Sequence, residues 1–239
     1  MLIKTKPRIL NLDIKAQPDD VTCGPTCLHA VYRYYNDDIS LEQVIDEVKQ
    51  LPTGGTLAVQ LANHALRRGY KAIIYTYNLI TFDLSWFQEG IDIEAKLKEQ
   101  MSAKSHDTKL MQASEAYLKF LESGGEIRFE ELTSTLLKSF LSQDLPVLTG
   151  LSATYLYESQ RETGDQQIIY DDIEGQPTGH FVVINGFNPE TRMAYVADPL
   201  AKNPISTEQY YQVRFRKLIN SIMLGVMTYD ANLLIIYPK

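Results

Sequence analysis

The chain has 239 residues, 44% of them hydrophobic and 22% charged, with a formal net charge of -7. That is the make-up of an ordinary soluble globular protein, with length for one large domain or two small ones. The acidic balance argues against a nucleic-acid partner, which asks for a basic face. No apolar run reaches the length of a membrane span. The first residues, Met-Leu-Ile-Lys-Thr-Lys-Pro-Arg, carry positive charge with no apolar stretch behind it, so they do not read as a secretory signal. The two cysteines, four residues apart, exclude a disulfide scaffold by count. A cytoplasmic location is the expectation.

The segment from Gln17 to Leu28 passes from polar, turn-rich residues into a helical pattern, with Leu28, Val31, Tyr32 and Tyr35 spaced along one face. Cys23 stands at that boundary, and Gly24 and Pro25 suit a first helical turn. A thiol at a helix N-terminus lies beside unpaired N–H groups and the positive end of the helix dipole, which favour the nucleophilic thiolate. A buried structural cysteine accounts for the segment equally well.

A second helix is signalled at Ile39-Ser40-Leu41-Glu42-Gln43, where Ser40 and Gln43 make a capping box and Ile39 and Val44 a hydrophobic staple. A third runs from Thr56 through Leu66 and stops at Gly69, a C′ glycine. Lys71 to Tyr77 reads as a strand. Residues 91 to 123 carry one or two helices ending at Gly124-Gly125, and another follows on Phe129, Leu132, Leu136, Phe140 and Leu141. The period then changes. Val147–Leu151, His180–Phe187, Met193–Ala197 and Leu233–Tyr237 are strand-like, and Asn188-Pro189-Glu190-Thr191 should close a hairpin between the second and third. Helices first and an antiparallel sheet later predict the α+β class. Residues 152 to 178 are polar and tyrosine-rich and read as a long loop of the kind that forms lids. Arg214, Arg216 and Lys217 read as a solvated strand edge. No internal repeat or linker divides the chain, which is read as one domain over residues 1–239.

A nucleophilic cysteine needs a base, a group to orient the base, and donors for an oxyanion. Of the four histidines, His29 falls inside the first helix and is read as structural or exposed. His64 is read as packed, and His106 as surface. His180 differs, because it opens the apolar run Phe181-Val182-Val183-Ile184 and is held at the mouth of a strand. The hairpin brings it beside Asp198, 18 residues further on, which ends the facing strand before Pro199. Asp198 would accept the His180 Nδ1 proton and fix the tautomer. Gln17, six residues before Cys23, is the candidate second oxyanion donor. Cys27 lies on the core stripe and reads as a small buried hydrophobe. A metal site from Cys23, Cys27 and a histidine lacks a second pair at ligand spacing, so neither metal nor cofactor is expected.

Gln17, Cys23-Gly24-Pro25-Thr26, Gly179-His180-Phe181-Val182-Val183 and Ala197-Asp198-Pro199, in this order, resemble a papain-like cysteine peptidase. The resemblance is in particular to the bacteriocin-processing, or double-glycine, peptidases and their stand-alone relatives, cysteine peptidase family thirty-nine. The 157 residues from Cys23 to His180 are close to the ~130–150 of papain-type enzymes. The resemblance implies a papain-like fold, with an N-terminal helical part whose nucleophile helix packs on a C-terminal antiparallel sheet. It also implies Cys23 as nucleophile, His180 as general base, Asp198 as orienting acid and Gln17 as oxyanion donor. The exporter-linked members carry this domain in front of a membrane transporter; this chain has no such segment and is expected to be a stand-alone member. Residues 78–145 and 152–178 are insertions relative to a minimal peptidase of that type. The expected activity is hydrolysis of a peptide bond through a Cys23 thioester, with a peptide or small amide as the partner. An amidase or acyltransferase acting on a non-protein substrate would use the same residues. A catalytically inert binding module is the third reading.

Overall fold

The computed structural model describes residues 6–51, 54–163 and 169–239 of the chain. After a two-residue strand β1 (Arg8–Ile9), helix α1 (Cys23–Tyr34) begins at the cysteine, with Gly24 and Pro25 in its first turn. A methyl group on Gly24 would sit 2.7 Å from Thr56 Cγ2 and 3.3 Å from Leu61 and Phe181, so this helix approaches its neighbours closely only because it has glycine there. Helix α2 (Leu41–Glu47) is capped by Ser40, whose hydroxyl accepts from the Gln43 N–H at 3.1 Å, and Ile39 and Val44 are both buried as a staple requires. The Gln43 side chain donates to Glu47 at 2.7 Å instead of completing the expected box. Helix α3 (Ala58–Arg67) ends before Gly69, which takes a φ of +92°.

Strand β2 (Lys71–Thr76), helices α4 (Ile93–Ala103) and α5 (Thr108–Glu122), strand β3 (Glu126–Arg128) and helix α6 (Ser134–Ser142) follow. The last is shorter than its apolar pattern suggests. Thr133 caps it by accepting from the Leu136 N–H, which leaves Phe129 outside. Next come β4 (Val147–Ser152), α7 (Ala153–Tyr157), β5 (Glu162–Thr163), β6 (Ile169–Tyr170), β7 (Gly179–Asn188), β8 (Met193–Ala197), β9 (Tyr210–Arg214), α8 (Phe215–Leu224) and β10 (Asn232–Tyr237). The segment read as one long loop therefore holds a helical turn and a short β5–β6 ladder, while its residues 164–168 lie outside the described part. Arg214 does end the edge strand β9, on its exposed side, but Arg216 and Lys217 belong to a helix.

The main sheet runs in the order β3-β2-β10-β4-β7-β8-β9, with β1 beside β7. The β2–β3 pair is parallel and the other pairs are antiparallel, so the sheet draws its far edge from the helical first part of the chain. Its central strands β4, β7 and β10 are buried on both faces, and their sequences are mostly apolar rather than alternating. Leu148, Phe181, Val183 and Leu234 pack toward α1, α3 and α5. Val147, Val182, Ile184 and Leu233 pack toward α6 and α8. Among the described residues no helix is long and apolar enough to cross a membrane. The mixed α+β architecture, with α1 against the sheet, is the one the sequence predicts.

Candidate active site

The β7–β8 hairpin forms as read. The Asn188 side-chain oxygen accepts from the N–H groups of Glu190 at 3.0 Å and Thr191 at 3.2 Å, which closes the turn. Val183 pairs with Ala197, so Asp198 follows opposite Val182, diagonal to His180 on one side of the ladder. His180 Nε2 lies 2.9 Å from Asp198 Oδ1. The contact is through Nε2 and not through the Nδ1 that the sequence predicts. A strand-end ring turned this way leaves Nδ1 for the nucleophile.

Asp198 is fully buried. Its charge survives there because four donors saturate it. Oδ1 receives His180 Nε2 and the Leu200 N–H at 2.9 Å; Oδ2 receives the hydroxyls of Tyr157 at 2.7 Å and Tyr211 at 2.8 Å. Burial pushes this carboxyl up, but His180, with the Tyr157 hydroxyl and the Leu200 N–H, outweighs it and holds it below its ordinary range. An ionised carboxylate only accepts, so Nε2 must carry a proton. Burial likewise pulls His180 down. The Asp198 charge and hydrogen bond, joined by hydrogen bonding and charge from Cys23, reverse that and raise it. Both Asp198 and Cys23, at the N-terminus of α1, thus favour the protonated ring.

Cys23 is 9% exposed and Cys27 is fully buried. The Cys27 thiol donates to the Phe181 carbonyl at 3.2 Å, and burial raises its pKa well above the ordinary thiol value, so it is the packed residue the sequence suggested. Gln17 is tied to the site by its backbone, whose N–H donates to the Pro199 carbonyl at 2.9 Å. Its side-chain nitrogen donates one hydrogen to the Asp19 carbonyl at 2.8 Å and retains a second. His29 is buried in α1, and His106 is exposed. His64 is buried between the Tyr32 hydroxyl at 2.8 Å and Glu47 at 3.0 Å.

Three site residues escaped the sequence reading. Tyr211 could have been found, because its strand alternates exposed and buried residues. Tyr157 lies in the segment read as loop, where nothing marks one tyrosine above its neighbours. The third, Asp230, lines a cleft of about 240 Å³ together with Cys23, Gly54, Gly55 and Gly179. Larger concavities, of about 580 and 640 Å³, lie around Arg192 and Arg214 and around Tyr155 and Lys217, and neither contains a cysteine.

The model of the Peptidase_C39 like family matches residues 9–222. Among solved structures, the chain is similar to one described as a C39-like peptidase from Bacillus anthracis. The two share 14% identity and a TM-score of 0.53, over 98% of this chain and 99% of that one. It is also similar to a double glycine motif protease from an AMS/PCAT transporter in complex with the leader peptide (17% identity, TM-score 0.46, 98% and 99% covered). A third is xylellain, a cysteine protease from Xylella fastidiosa (11% identity, TM-score 0.43, 98% and 86% covered). A search of curated protein sequences finds no match.

Proposed function

This chain belongs to the Peptidase_C39 like family and is a cysteine peptidase, and from that premise we propose that it hydrolyses a peptide bond through a thioester on Cys23. The thiolate attacks the scissile carbonyl carbon, and the carbonyl oxygen becomes an oxyanion. The Cys23 backbone N–H, without a partner among the described residues, and the second Gln17 amide hydrogen serve as its donors. The intermediate collapses as the C–N bond breaks, and His180 gives the leaving amine its proton. His180 then takes a proton from water, whose oxygen attacks the thioester; the acid leaves and the Cys23 sulfur is restored. Asp198 keeps Nε2 protonated and the ring oriented throughout. Residues 1–239 act in this reading as one domain, with 78–145 and 152–178 as insertions around the peptidase frame.

One observation carries the proposal: His180, whose pKa Cys23 and Asp198 both raise, is bonded to a buried carboxylate that accepts from four donors. A two-tyrosine clamp on a fully buried Asp198 is costly to build for mere packing. Cleavage of a peptide library by the wild type should fall about 1000-fold or more in Cys23→Ala and in His180→Ala. Cleavage that persists in Cys23→Ala would sink the mechanism. If an added amine captured the acyl group in preference to water, the enzyme would be an acyltransferase instead.

A further inference from the structure

The cleft beside Cys23 holds a second carboxyl that the peptidase chemistry leaves unused. Asp230 is 6% exposed, and among the described residues its Oδ1 has no hydrogen-bond partner. Its other oxygen reaches the residue before His180: a methyl group on Gly179 would lie 2.3 Å from Asp230 Oδ2 and 2.7 Å from Thr228 Oγ1. Glycine at 179 is thus what lets this carboxyl stand next to the reacting centre. Across the same cleft Gly54 and Gly55 take φ values of +85° and +71°, where the chain offers backbone and no side chains. The cleft thus carries, beside Cys23, an acid oxygen without a partner among the described residues.

Several titratable groups face Asp230. Lys109 and Tyr117 approach from α5, His180 from β7, and Cys23 and Asp20 share the cleft. Burial raises the Asp230 carboxyl to about 7, against the Thr228 hydroxyl, Lys109 and His180, which lower it. Lys109 does not supply the missing partner; its ammonium lies over the Tyr229 ring, 4.5 Å from the centroid. A buried carboxyl oxygen without a donor is unfavourable for folding alone and marks a place where a ligand completes the bonding. A cationic group entering this cleft would hold the carboxyl ionised and make a charge-assisted hydrogen bond away from water.

We propose that Asp230 is a specificity-determining residue: its carboxylate receives the ammonium or guanidinium of a substrate side chain next to the scissile bond, so the cleft selects peptides bearing lysine or arginine there. The inference rests on the peptidase reading of the same cleft, and its test uses a readout that does not require turnover. Acetyl-Xaa-Gly and acetyl-Gly-Xaa chloromethylketones, with Xaa as lysine, norleucine or glutamate, alkylate an accessible thiolate. The rate at Cys23 is followed by mass spectrometry. In at least one series the lysine probe should react about 10-fold or more faster than the norleucine probe at pH 8, with glutamate slowest. The carboxylate is present above its raised pKa and lost below it, so this advantage should shrink toward one at pH 5.5. In Asp230→Asn it should be near one at both pH values. The wild-type pH series needs no variant and stands if Asp230→Asn folds poorly. Equal lysine and norleucine rates, a faster glutamate probe (which would assign recognition to Lys109), or a lysine advantage that survives in Asp230→Asn would each overturn the proposal. Failure of the peptidase reading looks different: peptides go uncleaved while the probe ratios still depend on Asp230.

Discussion

Two histidines in this molecule meet carboxylates at nearly the same distance and end in opposite charge states. His180 Nε2 is 2.9 Å from Asp198, and His64 Nε2 is 3.0 Å from Glu47. Both rings are almost wholly buried, and burial pulls both toward the neutral form. For His64 that pull prevails, with Arg67 and Arg68 adding to it, and its pKa falls. For His180 it is overcome, and the pKa rises. The difference lies in the carboxylates. The Glu47 side chain is 46% exposed, so water screens its charge, whereas Asp198 has no exposed surface and acts through a low dielectric. Distance between a histidine and an acid does not by itself decide the charge of the ring; the reach of water to the acid and the other charges beside the ring, Cys23 at His180 and Arg67 and Arg68 at His64, do.

The comparison breaks most visibly through the acids. Asp198→Asn should lower kcat/KM for peptide cleavage by about 100- to 10,000-fold, by analogy with the loss of the orienting acid in a serine-protease triad. The fold should survive. The asparagine nitrogen can face Tyr157 and Tyr211, whose hydroxyls accept as well as donate, while its oxygen keeps the bonds from His180 and Leu200. Glu47→Gln, at the same distance from its histidine, should leave kcat/KM within about 2-fold, as a surface charge far from the reaction does. Equal losses from both substitutions would end the distinction between the two pairs.

The next effect is on the rings themselves. Nitrogen NMR of the labelled imidazoles at pH 7 should show His180 doubly protonated and His64 neutral, with the proton on Nε2 facing Glu47 and Nδ1 accepting from Tyr32. The linkage runs in opposite senses. A raised folded pKa means that the His180 contribution is full below its unfolded value of ~6.5 and is lost as pH rises through the folded one. A lowered folded pKa means that the His64 contribution is present above ~6.5 and is lost as pH falls through the folded one. His180 therefore weakens the alkaline side of the stability profile and His64 the acid side. A doubly protonated His64 at pH 7 would refute the screening argument.

How much of this was legible in the sequence follows the range of each signal. The α1 start, the Ser40 cap and the Asn188 turn are local, set by residues within four positions of one another, and all three are present. The His180–Asp198 contact is long-range but is carried by a hairpin, so strand period and turn chemistry were enough to foresee it. The ring nitrogen was not, because it depends on where α1 docks against β7. Tyr157, in α7, and Asp230, in the connection before β10, have no spacing that links them to His180, and tertiary packing alone brings them to the site; Tyr211 shows only in the alternation of its strand. β3 was missed for a related reason: three residues are too few to show a period, and their pairing partner, β2, lies some fifty positions away.

The smallest effect separates holding an acid from holding a ring. Tyr211→Phe removes one of four donors to Asp198, and Tyr32→Phe removes the donor to His64 Nδ1. Both tyrosines are buried. Each loss should cost stability on the order of 1–2 kcal/mol, the Tyr211 change somewhat more because its acceptor is charged. Unfolding midpoints in denaturant should therefore move in the same direction for both. Activity should not. With one donor fewer the Asp198 charge is less well satisfied and the His180 ring less firmly held, so kcat/KM should drop about 3- to 10-fold in Tyr211→Phe with KM nearly unchanged. Tyr32→Phe should leave kcat/KM at its wild-type value, since His64 neither touches the cleft nor faces Asp198. If Tyr32→Phe slowed cleavage as much as Tyr211→Phe did, the loss would be one of general stability, and the tyrosine clamp on Asp198 would have no part in positioning the base.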